Sequence, residues 1–89
     1  DVKLQFGYLR AEQAWELFGR LCDGLGLAAP EAALRSELDR LQVLTPGDFA
    51  VVARQHRFRR FAAPLAVLQR LREECALKED GQRQSIGFL

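Results

Sequence analysis

Apolar and polar positions along the chain change period several times, and each change predicts an element. In residues 1–6 the polar Asp1, Lys3 and Gln5 alternate with the apolar Val2, Leu4 and Phe6. Successive side chains of an extended chain point to opposite faces, so this pattern predicts a short strand with one apolar face. Between Arg10 and Asp23 the period lengthens. Ala14, Trp15, Phe18, Leu21, Cys22 and Leu25 recur at steps of three and four, which predicts an amphipathic helix, stopped by Gly24 and Gly26. A second, shorter helix is predicted from near Pro30, a residue suited to a first helical turn, to about Leu41, with Leu34, Leu38 and Leu41 on its buried stripe.

The clearest start signal is Thr45-Pro46-Gly47-Asp48. A threonine hydroxyl caps the first free amides of a helix, proline fits its first turn, and aspartate at the third position meets the positive end of the helix dipole. The third helix predicted there carries Phe49, Val52 and Ala53 on a narrow apolar face and ends near Arg57. A fourth follows Pro64, with Leu65, Val67, Leu68, Leu71 and Cys75 facing inward and Gln69, Arg70, Arg72, Glu73 and Glu74 facing water. Residues 78–84 read as a polar turn. The closing Ser85-Ile86-Gly87-Phe88-Leu89 is too apolar for a solvated tail and is expected to pack back on the body. The expected fold is all-α: a bundle of four helices with a short orphan strand before it and a packed C-terminal tail.

The strand changes the picture, because the chain offers it no partner. Its backbone groups would have to pair with a sheet outside these 89 residues. With a start at Asp1 and no methionine anywhere, the expectation is one helical domain, residues 1–89, cut from a larger protein, with residues 1–6 the remnant of an absent strand-rich core. About 90 residues support one core that buries roughly 60% of the unfolded surface. Apolar residues at 48% and charged residues at 28% fit a soluble globular chain rather than a disordered one. A net charge of +1 gives no bulk attraction to nucleic acid or anionic membrane.

Candidate chemistry is sparse. Cys22 and Cys75 fall among apolar neighbours and are expected as buried free thiols, and with His56 the single histidine they do not reach the ligand count of a structural zinc site. No apolar run approaches a membrane span and no signal peptide is seen, so a cytoplasmic location is expected. Asp48 has no second acid, base or nucleophile spaced to work with it, so capping is its expected role. Trp15 is expected in the core or at an interface. No Walker-type phosphate loop occurs, and no catalytic residue is assigned to these residues.

The strand, the order of the helices and the segment Leu44-Thr45-Pro46-Gly47-Asp48-Phe49 together resemble the C-terminal helical lid of AAA+ ATPases. In that family the lid follows the nucleotide-binding core, and one lid helix opens with a small-residue pair and an aspartate, as in S-G-A-D-L. The resemblance covers nearly the whole chain. It implies a four-helix lid that covers ATP or ADP, with magnesium held by the absent core, and that couples ATP binding and hydrolysis to conformational change and ring assembly. The implied nucleotide-proximal residues are Thr45, Pro46, Gly47 and Asp48, with Arg54 the nearest candidate for a sensor arginine. Implied partners are the absent core and neighbouring protomers of a ring, usually a hexamer. Pro46 departs from the family pattern, since it lacks an amide hydrogen, while Gly47 leaves room for close approach.

Arg54, His56, Arg57, Arg59 and Arg60 form a basic cluster interrupted by Phe58 and Phe61. Its plainest reading is a set of solvated cations at a helix C-terminus with both phenylalanines packed inward. Contact with a neighbouring subunit or nucleotide is a second reading and nucleic-acid binding a third. Two alternatives to the lid stand beside it: a helix-turn-helix module whose recognition helix starts at Pro46, and a stand-alone protein-interaction bundle.

Overall fold

A computed structural model describes residues 6–87, with side chains described through residue 81. Four helices run through them: α1 (Ala11–Gly24), α2 (Leu34–Asp39), α3 (Pro46–Gln55) and α4 (Pro64–Gly87). Helix α1 packs on α2 and α3, and α4 packs on both α2 and α3. No strand occurs among the described residues. The predicted strand of residues 2–6 lies outside them except for Phe6, which sits in a turn beside Gly7 with its ring exposed and stacked on Tyr8.

Helix α1 forms where the period-3.6 stripe predicts it. Its start is held by Gln13, whose side-chain carbonyl accepts the Arg10 amide at 3.0 Å. Its end has a geometric cause. Gly26 takes φ +76°, a conformation that a side chain would disfavour, and the chain reverses so that the Leu27 amide reaches the Cys22 carbonyl at 2.9 Å and the Gly26 amide the Asp23 carbonyl at 3.0 Å. These two bonds make a Schellman cap, which satisfies carbonyls that the helix end leaves free. Of the two expected stop residues, Gly26 is the one that the turn requires.

Helix α2 is shorter than predicted. It begins at Leu34 rather than near Pro30, because the Leu34 and Arg35 amides close tight three-residue turns onto the carbonyls of Glu31 and Ala32. That delay leaves Leu38 as its fully buried residue, with Leu34 and Leu41 packed at the margin of the core. Helix α4 is longer than predicted. Residues 78–84, expected as a polar turn, continue the helix to Gly87. Within this stretch Glu79, Asp80 and Gly81 are exposed, so their polar character marks the outer face of the helix, not its end. Packing of the final residues against the body falls outside the described side chains.

The core is built from all four helices and the loop before α3. Phe18 and Cys22 of α1, Leu38 of α2, Leu44, Val52 of α3, and Val67, Leu68 and Leu71 of α4 are fully buried. Burying each large apolar side chain contributes about 1.5–3 kcal/mol relative to leaving it in water. Leu65, expected inward, is 49% exposed. The buried stripe of α4 runs through residues 67, 68, 71 and 75, and at 100° per residue Leu65 falls off its edge. Trp15 is half-buried, tilted against Phe18 at 6.0 Å between centroids, with the Arg35 guanidinium 5.7 Å above its ring. The segment before α1 is joined to the loop before α3 by a backbone bond from the Leu9 amide to the Leu44 carbonyl at 2.8 Å.

Candidate functional site

The start of α3 is where the sequence and the fold concentrate polar structure. Thr45, in extended conformation, precedes Pro46, and the Asp48 carboxylate turns back to accept the Thr45 amide at 2.9 Å. The Thr45 hydroxyl faces the Asp48 amide in the reciprocal place of a capping box, and that amide also meets the Thr45 carbonyl at 3.1 Å. The carboxylate arm is the better formed of the two. Proline at the first position costs nothing there, since its missing N–H would have had no helical partner.

Asp48 is the one charged residue among the described residues that is buried, at 7% exposure. A carboxylate taken out of water needs a partner, and Lys78 of α4 supplies it. Its Nζ lies 2.5 Å from Asp48 Oδ2 and donates a second bond to the Val43 carbonyl at 2.7 Å. Helix α4 therefore reaches under the α3 start and holds both the cap and the loop that leads into it. Composition hides Lys78, because residues 78–84 read as a polar turn. The signal was present nonetheless: Leu68, Leu71, Cys75 and Lys78 step by three, four and three, so the buried stripe of α4 extends one turn further with an ammonium group at its end.

Four of the five expected nucleotide-proximal residues thus sit together. Pro46 and Gly47 form the exposed outer side of the helix start, and Thr45 and Asp48 form its inner, bonded side. Gly47 is open: a Cβ built there would meet only Thr45 Oγ1, at 3.6 Å, an ordinary contact. Arg54 is not part of this group. It is exposed near the far end of α3, about 12 Å from Pro46 along the axis at 1.5 Å per residue. Lys78 is committed to Asp48, so neither charge is free for an incoming ligand.

The basic cluster at the other end of α3 departs from the expected inward packing. His56 is partly buried, its Nδ1 accepts the Phe61 amide at 3.1 Å, and the two rings stack at 5.8 Å, closing the loop between α3 and α4. Phe61 accordingly packs against the core, but Phe58 is 91% exposed. Arg57, Arg59 and Arg60 are exposed beside it. Arg70, expected to face water, is largely covered and bridges α4 to α3 through its Nε and the Gln55 carboxamide oxygen at 2.6 Å.

Compared with protein-family models, curated proteins and solved structures, the chain matches none. Among the described residues no group of three or more His, Cys, Asp or Glu side chains could hold a metal ion. Cys22 and Cys75 are buried free thiols, each pushed up to about 11 by burial, with the Asp48 carboxylate adding to the effect at Cys75. Such thiols are poor nucleophiles and poor metal ligands near neutral pH. No described helix is long and apolar enough to cross a membrane.

The helix-turn-helix alternative loses ground at α3. A recognition helix presents its N-terminal side chains to base edges, whereas here Asp48, Phe49 and Val52 are buried.

Proposed function

We propose that the chain is the C-terminal helical lid of a cytoplasmic AAA+ ATPase: a lid-type bundle that lies over ATP or ADP bound in an adjoining core and moves with nucleotide state. Support comes from the order of elements. A fourteen-residue helix is followed by a six-residue helix, then by a helix opening on Thr45-Pro46-Gly47-Asp48, then by a long closing helix. The observation that carries the reading is the divided helix start, with a bonded inner side at Thr45 and Asp48 and an open outer side at Pro46 and Gly47. A flat base can approach a glycine backbone closely where no Cβ intervenes.

In this reading the residues transmit and do not catalyse. ATP with its magnesium supplies the phosphoryl chemistry in the absent core. Within the lid, the Asp48–Lys78 pair fixes the angle between α3 and α4, so that movement at the nucleotide side is carried to the rest of the bundle as a rigid body. Packing of the lid against the next protomer of a ring, typically a hexamer, belongs to the same proposal.

The test is the coding sequence ahead of Asp1, followed by photolabelling of the longer protein with an azido-adenine nucleotide. A Walker-type phosphate loop upstream, with label at residues 45–48, is expected. Absence of that loop, label confined to other segments, or tight ATP binding by the 89-residue chain alone overturns the proposal.

A further inference from the structure

A second feature lies at the opposite end of α3 and is independent of the lid reading. The α3–α4 loop and the first turns of α4 enclose an open groove of about 690 Å³. Phe58, Phe61, Ala62 and Ala66 supply its apolar surface, and Arg59, Arg60 and Arg70 its cations, with Glu73 the only acidic residue on the lining. Phe58 is far more exposed than a phenylalanine that serves the fold alone, at 91%.

The charges of the groove are uneven in a specific way. Arg70 has answers on its own helix, with Glu74 at 3.4 Å and Glu73 at 3.9 Å. Arg59 and Arg60 make no ion pair among the described residues. One donor is also left over. The Nη1 atom of Arg70 is buried and has no hydrogen-bond partner among the described residues, its Glu73 contact being too long to count as one. A buried guanidinium N–H without an acceptor is costly, and this residue lines the groove.

We propose that this groove docks an acidic segment of a partner protein, one that carries an apolar side chain next to its carboxylates. The apolar side chain covers Phe58 against Ala62 and Ala66. Carboxylates meet Arg59 and Arg60, which bind them with paired N–H donors. A peptide suits these features better than nucleic acid does. The net charge of +1 gives no long-range attraction to a phosphate backbone. The apolar floor at Phe58, Ala62 and Ala66 asks for an apolar side chain, which a phosphate backbone does not offer.

The experiment is selection of random peptides displayed on phage against the 89-residue chain, then anisotropy titration of a labelled selected peptide. A labelled single-stranded oligonucleotide of mixed sequence serves as competitor. Selected peptides are expected to combine Asp or Glu with Leu, Phe or Trp, to shift the amide resonances of Gln55, Phe58, Ala66 and Arg70, and to weaken with added salt. Phe58→Ala and the charge reversal of Arg59 and Arg60 to Glu are each expected to weaken binding at least about tenfold. Both changes are at exposed positions, so circular dichroism should be unchanged. Basic or unbiased peptides, acidic peptides that bind the variants as well as the parent, or an oligonucleotide that displaces the peptide at lower concentration than the peptide itself would overturn it.

Discussion

Lys78 and Asp48, thirty residues apart, form the pair that joins the end of the buried stripe of α4 to the first turn of α3, at 2.5 Å. Removal of one partner leaves the other with an unanswered charge in a mostly covered place. Lys78→Met is expected to destabilise the chain by about 1–3 kcal/mol. Asp48→Ala should cost more, since it also releases the Thr45 amide. Urea unfolding followed by Trp15 fluorescence measures both, and the double variant should be more stable than the sum of the single losses predicts. Simple additivity would mean that the pair is not coupled.

The helix start separates stability from contact with a ligand. Thr45→Ala is expected to cost about 1 kcal/mol through the cap. Gly47→Ala should be neutral or stabilising by up to about 1 kcal/mol, because its Cβ meets only the Thr45 hydroxyl and the glycine loses more freedom on folding. A Gly47→Ala variant that folds as well as the parent yet loses nucleotide response in the longer protein would locate the contact at this backbone. A variant that unfolds would contradict the open geometry.

The two thiols make an alkaline prediction. Both are held neutral in the folded state up to about pH 11, while in the unfolded chain they ionise near their ordinary value of 9.0. Above that value the unfolded state binds fewer protons than the native state, so stability falls as pH rises from about 9 towards about 11. The double variant Cys22→Ala, Cys75→Ala should have a shallower decline over this window. At pH 8 the native thiols should react with an aromatic disulfide reagent far more slowly than after denaturation. Fast reaction of the native chain would show that they are not buried.

Continuation of α4 through residues 78–87 places Gly81 inside the helix, at an exposed position where nothing lies within 4 Å of a built Cβ. Gly81→Ala should then stabilise the chain by about 0.5–1 kcal/mol and raise its helical circular dichroism. A loss of stability would restore the polar turn that composition alone suggests.

Local chemistry was legible where the responsible residues are close in sequence. The Thr45 cap, the stop at Gly26 and the apolar face of α1 each depend on residues within a few positions of one another. Misreadings arose where a distant residue decides the outcome. Lys78 looks like part of a solvated stretch until Asp48 is placed beneath it, and Arg70 looks solvated until Gln55 arrives from α3. Phe58 fails in the other sense. The alternation of arginine and phenylalanine suggests two inward rings, but His56 can stack on only one, and it stacks on Phe61.

The bond between Leu9 and Leu44 has a mechanical consequence. Leu44 directly precedes Thr45, so tension on the backbone ahead of Leu9 is delivered across the chain to the foot of α3 without first passing along α1. A pull on that segment therefore reaches the residue next to the Thr45 cap through a single hydrogen bond.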